Sequence, residues 1–205
     1  ANGNELVAST INFSNINDAD LSGGALTGTN DNDETFEIST AANAVNVNSI
    51  DFTSVAAINA GTSTGDAVTT TEAVDADLTA NGNELAASTI NFSNINDADL
   101  SGGALTGTNT NNETFSISTT ANAVNVNSID FTSVTAINAG TSTGDAVATT
   151  ETVDADLTAN GNELVASTIN FSNINDADLS GGQLTGTNDN DETFEIDTTA
   201  NAVNV

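Results

Sequence analysis

The sequence lacks every basic side chain. Its 205 residues include 29 Asp and Glu but no Lys, Arg or His, which gives a formal net charge of −29 at pH 7. The chain therefore has no basic side chain that could pair with a carboxylate. Two carboxylates roughly 4 Å apart in water repel by about 1 kcal/mol. A compact fold with clustered acids therefore needs screening by salt or bound cations. Nucleic acid is excluded as a partner because phosphate binding rests on basic side chains, and anionic membranes are disfavoured for the same reason.

Most catalytic side chains are missing as well. Without His, Lys, Arg, Cys or Tyr, the chain lacks the usual general bases, most nucleophiles and every cationic group that stabilises developing negative charge. A glycosidase built on two carboxylates is formally possible for Asp18 with Asp20, or Asp75 with Asp77. A pair that recurs in every repeat is more typical of a surface feature. We therefore predict that the chain is not an enzyme and requires no cofactor.

Cysteine, proline and long apolar runs are also absent. The lack of Cys excludes disulfides and thiolate metal sites. The lack of Pro leaves every strand free to pair on both sides. No run approaches the roughly 18 apolar residues of a membrane span. Eight Phe are the only aromatic residues, so few large side chains are available for a hydrophobic core. Such a core favours stacked coils over isolated globules.

What the sequence does contain is a repeated strand motif. In residues 10–16 the apolar side chains of Ile11 and Phe13 alternate with the polar side chains of Asn12 and Ser14. This period of two predicts a half-buried β-strand. The motif returns almost unchanged at 89–95 and 168–174, and in a variant form at 49–55 and 128–134.

The motif belongs to a longer repeated unit. The sequence that starts at Ala1 restarts at Ala80 and Ala159, so residues 1–79 and 80–158 form two units and residues 159–205 a partial third. The first two units differ at eight positions, four of which exchange Ala and Thr. Each unit also divides into two diverged halves, because the variant motif at Ile50 stands midway between Ile11 and Ile90. Such periodicity indicates one continuous stacked array, and we expect it to be a window of a longer one.

The predicted fold is all-β, a parallel β-solenoid (β-helix) with about four coils of roughly 20 residues per 79-residue unit. Tandem immunoglobulin-like β-sandwiches are the alternative, because eight to ten short strands per unit fit that architecture too. The division into halves favours the solenoid. The candidate strands of the first unit are 5–9, 10–16, 19–22, 25–29, 35–39, 44–47, 49–55, 57–59, 67–70 and 75–79.

Cation binding is the chemistry that the acidic residues suggest. Calcium prefers oxygen ligands, and alternation places both acids of an Asp-x-Asp motif on one face of a strand. The second unit keeps these motifs but loses two carboxylates from the 30–34 run, which we interpret as a solvated turn. A solvated strand face remains the competing interpretation of the motifs. The candidate calcium ligands are Asp18, Asp20, Asp75, Asp77, Asp97, Asp99, Asp154, Asp156, Asp176 and Asp178.

The run Leu26–Phe36, followed by residues 49–52 and 58–61, resembles the large secreted bacterial surface proteins built of β-strand repeats, the adhesin and filamentous-haemagglutinin-like class. The resemblance implies extracellular fibres or stalks used in adhesion and in the biofilm matrix. The calcium-binding nonapeptide of related toxin repeats is missing, since Ala25 follows Gly23 and Gly24. A calcium role is therefore not implied by that motif.

From these features we predict a secreted structural component of a fibre, stalk or matrix on a bacterial cell surface. Its expected partner is itself, through fibre assembly or lateral bundling, with divalent cations as possible ligands. The alternative is an adhesin stalk of sandwich domains made rigid by calcium. An ice-binding surface is a remote third possibility, because Ser and Thr are plentiful but form no regular Thr-x-Thr ladder.

Overall fold

A computed structural model describes residues 5–79, 82–158, 161–197 and 202–205. Within these ranges the chain forms 26 strands of two to four residues. The first unit contributes β1 (Glu5–Ala8), β2 (Ile11–Ser14), β3 (Asp18–Asp20), β4 (Ala25–Thr27), β5 (Thr35–Ile38), β6 (Val45–Val47), β7 (Ile50–Thr53), β8 (Ala57–Asn59), β9 (Ala67–Thr70) and β10 (Ala76–Leu78).

The second unit repeats the same ten strands, and the third repeats part of them. The second unit has β11 (Glu84–Ala87), β12 (Ile90–Ser93), β13 (Asp97–Asp99), β14 (Ala104–Thr106), β15 (Thr114–Ile117), β16 (Val124–Val126), β17 (Ile129–Thr132), β18 (Ala136–Asn138), β19 (Ala146–Thr149) and β20 (Ala155–Leu157). The third has β21 (Glu163–Ala166), β22 (Ile169–Ser172), β23 (Asp176–Asp178), β24 (Leu184–Thr185), β25 (Glu195–Asp197) and β26 (Ala202–Asn204).

Each candidate strand of the first unit overlaps an observed one. Strands β8 and β9 have the predicted bounds, and most of the others end one or two residues early. The early ends coincide with residues in the left-handed region, such as Asn15 (φ 58°), Ser22 (φ 51°) and Ser54 (φ 56°). Short polar side chains tolerate this conformation, which interrupts a strand.

Two sheets of 11 strands run through the molecule. The first sheet has the order β23-β19-β15-β16-β17-β13-β9-β5-β6-β7-β3, and the second has the order β24-β20-β21-β22-β18-β14-β10-β11-β12-β8-β4. Hairpins β1-β2 and β25-β26 form separate two-stranded sheets at the two ends. The chain passes back and forth between the first and second sheets, and the described residues include no helix.

The apolar faces of both sheets share one core. Ile90 and Phe92 are buried while Asn91, between them, is exposed, which confirms the predicted alternation within the array. Phe36 of the first sheet contacts Phe92 of the second edge to face, with ring centroids 6.3 Å apart. This geometry is favourable for aromatic pairs.

Both sheets continue across the boundary between units. Strand β9 of the first unit pairs in parallel with β13 of the second, and β10 pairs antiparallel with β11. The predicted parallel β-solenoid is therefore confirmed. The alternative of separate immunoglobulin-like sandwiches is wrong, because no unit closes its own pair of sheets.

The coils are longer than predicted. Ala57 pairs with Ala25 on one side and with Asn91 on the other. Each of these partners lies one full coil away from Ala57, so a unit holds fewer than the predicted four coils. The extra length lies in antiparallel meanders, β5-β6-β7 in the first sheet and β10-β11-β12 in the second. These two meanders also explain the half-units, because each half contributes one meander to one sheet.

Two-residue turns close the meanders. Asn48 and Ser49, with φ of 52° and 62°, join β6 to β7, while Ser88 and Thr89, with φ of 47° and 65°, join β11 to β12. Positive φ at both central residues defines the type I′ turn, whose twist suits a β-hairpin. The abundance of Asn and Ser therefore reflects backbone geometry at these turns.

Candidate functional site

The predicted Asp-x-Asp ligands lie on opposite sheets. Asp18 and Asp20 belong to β3 in the first sheet, whereas Asp77 belongs to β10 in the second and Asp75 precedes it. The later copies repeat this division, with Asp97, Asp99, Asp176 and Asp178 in the first sheet and Asp156 in the second, preceded by Asp154. The two kinds of motif therefore do not converge on one site.

The second acid of the β3 motif closes a turn. Asp20 Oδ1 accepts a hydrogen bond of 2.9 Å from the Ser22 backbone N–H. This bond is the main cause of a lowered pKa at Asp20, and a hydrogen bond with the Ser54 side chain lowers the pKa further. The same turn recurs from Asp99 to Ser101 and from Asp178 to Ser180, each at 2.9 Å. This carboxylate thus has a structural role in all three copies.

The first acid of the other motif joins neighbouring strands. Asp75 Oδ1 accepts the backbone N–H of Ala104 at 2.8 Å, and Asp154 Oδ1 accepts that of Gln183 at 2.8 Å. In each case the donor lies at or just before the start of the neighbouring parallel strand, β14 or β24. Asp75 and Asp154 therefore help to hold one coil against the next.

The remaining acid of the β3 motif lies in a cross-strand carboxylate pair. Asp18 stands opposite Asp51 on the adjacent parallel strand β7, and Asp97 stands opposite Asp130 in the next unit. All four are exposed, and backbones of neighbouring strands lie about 4.8 Å apart. Like charges directly opposite each other repel. Each pair is therefore a local concentration of negative charge on the first sheet.

An amide stands beside each of these pairs. Asn46 Nδ2 donates to Asp51 Oδ1 at 2.6 Å, and Asn125 Nδ2 donates to Asp130 Oδ1 at 2.6 Å. Sequence reasoning missed Asp51 and Asp130. The available signal was the alignment of residues 49–55 with 10–16, in which Asp51 replaces Asn12.

The carboxylates do not gather into larger clusters in the described ranges. There, no three of them lie close enough together to hold a metal ion in a site made by this chain alone. The geometry on the first sheet provides pairs instead. Two carboxylates alone fall short of the six to eight oxygen ligands that calcium takes.

A second set of carboxylates is buried. Glu34 and Asp66 are 4% and 0% exposed. Asp66 accepts the backbone N–H of Glu34 at 2.8 Å and the hydroxyl of Ser63 at 2.8 Å, while Glu34 accepts the hydroxyl of Thr29 at 2.7 Å. Residues 30–33 are exposed, as expected of a solvated turn, but Glu34 at its end is buried.

The second unit repeats the buried pair. Glu113 accepts the Thr108 hydroxyl at 2.5 Å, and its own backbone N–H donates to Asp145 Oδ1 at 2.8 Å. Burial is the main cause of a raised pKa at Glu113, and the charge of Asp145 adds to it. Glu34, Glu113 and Glu192 persist although neighbouring acids in the run change. That persistence was the sequence signal for a buried role.

The chain matches no protein-family model, no curated protein and no solved structure. In the described part of the chain, no helix is long and apolar enough to cross a membrane.

Proposed function

We propose that the chain is a mechanical component of an extracellular fibre, stalk or matrix on a bacterial surface. The observation that carries this proposal is the continuity of two 11-stranded sheets across successive units. At about 4.8 Å per strand, 11 strands extend for roughly 50 Å. An array that buries each coil against the next gains stability with length, as a fibre requires.

The composition supports the same proposal. The chain has a formal net charge of −29 and no basic side chains. Rods that lie side by side therefore repel each other, which keeps individual rods soluble. The absence of Lys and Arg also leaves no cleavage site for trypsin-like proteases, which suits a molecule exposed outside the cell. The resemblance to secreted β-strand-repeat proteins points in the same direction.

Immunogold electron microscopy of the producing cells tests this function. Antibodies raised against the recombinant chain should label filaments or matrix outside the cell, and pre-incubation with the chain should abolish labelling. Labelling confined to the cell interior would contradict the proposal.

Cation-dependent bundling is a second function that a specific observation favours. The carboxylate pairs Asp18/Asp51 and Asp97/Asp130 lie on the first sheet, where a divalent cation can bridge acids from two rods. Calcium should therefore bring rods together through this face, and a chelator should release them.

Light scattering during a calcium titration tests the bundling. The Asp51→Asn/Asp130→Asn variant should need several-fold more calcium than the unmodified chain. Asp77→Asn/Asp156→Asn is the matched control, because it removes the same charge from the second sheet. Equal calcium requirements for the two variants would show that the carboxylate pairs have no special role.

A further inference from the structure

Three consecutive residues of strand β12 match the acceptor sequence for N-linked sugars. Asn91, Phe92 and Ser93 form the pattern Asn-x-Ser, in which x is not Pro, and at this pattern transferases join a sugar to the Asn amide. The same three residues recur at 12–14 in β2 and at 170–172 in β22. The corresponding strand of each unit therefore carries one acceptor sequence.

The acceptor Asn points outward from the second sheet. Asn91 and Asn170 are exposed, whereas the Phe that follows each of them is buried. Strand alternation places the Ser hydroxyl on the same outer face as the Asn. The two Asn lie five strands apart in the second sheet, which is about 24 Å at about 4.8 Å per strand. A sugar chain on one therefore leaves room for a sugar chain on the other.

The surface around Asn91 has space for a sugar. The residues that stand beside Asn91 on the two neighbouring strands are Ala57 and Ala86, which have small side chains. A shallow depression of about 310 Å³ borders Asn91, and Thr79 and Glu84 are among its polar lining residues. The first sugar on Asn91 can lie in this depression, where the lining offers hydrogen-bond partners for its hydroxyl groups.

The hydrogen bond of the Asn170 amide is compatible with an attached sugar. Asn170 Nδ2 donates to the backbone oxygen of Thr135 at 3.2 Å. An Asn amide has two N–H groups, and an N-linked sugar replaces only one of their hydrogens. The other N–H can keep its bond to Thr135, so the modification does not require the sheet to open.

The corresponding strands of the first sheet lack the acceptor. Asp51 of β7 and Asp130 of β17 stand where β12 and β22 have Asn, although Thr53 and Thr132 supply a hydroxyl two residues later. A carboxylate has no amide nitrogen to which an N-linked sugar could be joined. Sugars at the repeated position therefore cover the second sheet and leave the carboxylate pairs of the first sheet open for calcium-dependent bundling.

Resting on the proposed extracellular location, we propose that Asn91 and Asn170 carry N-linked sugars. In this reaction Nδ2 bonds to the anomeric carbon of an activated sugar phosphate. The bond from that carbon to the phosphate oxygen breaks, the phosphate keeps the electron pair, and Nδ2 loses one proton to a base of the transferase. A separate protein supplies that base, since this chain has no His, Lys, Cys or Tyr.

The order of modification and folding follows from strand pairing. Strand β12 pairs with β8 on one side and β11 on the other, and β22 pairs with β18 and β21. A strand held on both sides cannot enter the active site of a transferase. The sugars are therefore attached before the second sheet closes, while the chain is being secreted.

Mass spectrometry of the native chain tests the inference. The chain is isolated from the producing cells with the immunogold antibodies and is cleaved before each Asp. Peptides 77–96 and 156–175 then hold one acceptor each and differ in mass by one Ala-to-Val exchange. A further Asn-x-Thr sequence, at 112–114 outside the repeated strand, falls in peptide 99–129 and is read separately. Peptides 77–96 and 156–175 should both be heavier than their bare sequences by the mass of whole sugar residues, and bare peptides would overturn the inference.

Variants of the triplet in β12 test whether the sugar is N-linked. When introduced in the producing cells, Ser93→Ala should remove the sugar mass from peptide 77–96 and leave peptide 156–175 modified. Ser93→Thr should keep the sugar on both peptides. Asn91→Gln should act like Ser93→Ala, and it replaces that variant if Ser93→Ala is not produced. Sugar that remains on peptide 77–96 in either Ser93→Ala or Asn91→Gln would overturn the assignment.

The two proposals fail in different ways. Bare peptides from a chain that immunogold microscopy locates outside the cell would overturn the sugars and leave the extracellular role intact. Labelling confined to the cell interior would contradict the extracellular role directly, whatever the masses of the peptides.

Discussion

At the scale of single residues, the turns depend on side chains that tolerate the left-handed region. Asn127 and Ser128, with φ of 52° and 64°, join β16 to β17. Asn followed by Gly is the strongest pair for a type I′ turn, since Gly meets no Cβ penalty there. Ser128 is therefore not the most favourable residue for the second position of this turn.

Ser128→Gly should stabilise the protein by about 0.5 kcal/mol, because relief of backbone strain exceeds the added entropy of the unfolded chain. For a chain of this size that corresponds to a rise in Tm of roughly 1–2 °C, measured by circular dichroism. Ser116→Gly, in the extended strand β15, should instead lower Tm. A lower Tm for Ser128→Gly would contradict the strain argument.

The burial of Glu113 beside Asp145 makes the contribution of Glu113 to stability fall as pH rises. The pKa of Glu113 is raised from 4.5, chiefly by burial and then by the charge of Asp145. Its protonated form is thus favoured in the folded state. This contribution to stability is complete below the unfolded pKa and is lost as pH rises through the folded pKa.

Glu113→Gln should flatten this dependence, because the amide does not ionise. The decline of Tm from about pH 4.5 to pH 7 should be smaller in the variant than in the unmodified chain. Glu37→Gln is the control, since it removes one exposed charge from β5 and leaves the buried pair intact. Equal slopes for all three proteins would show that the buried pair does not govern the pH response.

At the scale of elements, neighbouring strands approach each other closely at glycine. A Cβ placed on Gly107 would lie 2.4 Å from the backbone oxygen of Ala139, whereas one placed on Gly161 would meet no atom within 4 Å. The Gly107 backbone N–H also donates to the Asn138 carbonyl oxygen at 2.7 Å. This contact fixes the spacing of two coils.

Gly107→Ala should therefore destabilise the protein by about 2 kcal/mol or more, because the added methyl group forces backbone apart. Gly161→Ala should change stability by less than about 0.5 kcal/mol. Chemical unfolding followed by circular dichroism measures both. Similar effects at the two glycines would contradict the close approach of the coils.

The sequence predicted the strands well because their signal is local. The alternation of Ile50, Asp51, Phe52 and Thr53 specifies one buried and one exposed face, and β7 has both. The partners of a strand leave no comparable local signal. Whether Ala57 pairs with Ala25 or with a residue nearer in the chain depends on the meanders that lie between, so the coil length could not be read from the residues.

The contacts of the carboxylates could likewise be predicted only in part from the sequence. Spacing identified the Asp-x-Asp motifs, but only the fold places Asp18 opposite Asp51 on another strand. Similarly, the polar run 30–33 indicated an exposed turn, and the persistence of Glu34 in the later copies signalled burial but did not identify Asp66 as its partner. Contacts between residues one coil apart depend on the coil length, which the sequence alone did not supply.

At the scale of the whole molecule, charge repulsion without basic residues governs the response to salt. Most proteins gain from some ion pairs that salt weakens, but here no side chain carries a positive charge. Raising NaCl from about 0.01 M to 0.5 M shortens the Debye length from about 30 Å to below about 8 Å. Screening can therefore relieve repulsion between carboxylates without weakening any side-chain ion pair.

Tm should rise with NaCl over this range, by about 2–4 °C for each kcal/mol of repulsion removed. Thermal unfolding followed by circular dichroism is the measurement, and NaCl and KCl should act alike if screening is the cause. A Tm that falls with salt would contradict this account of the acidic surface.

Stretching a single molecule between its two ends tests the central claim, that the units form one continuous load-bearing solenoid. Parallel partners such as Ala76 and Leu105, or Ala57 and Asn91, lie one coil apart. At about 3.5 Å per residue and roughly 30 residues per coil, coil-by-coil unfolding should release roughly 110 Å of chain per step. Optical tweezers resolve such steps. Separate releases of about 280 Å, the extended length of one whole unit, would show that the units are independent domains and would contradict the continuous array.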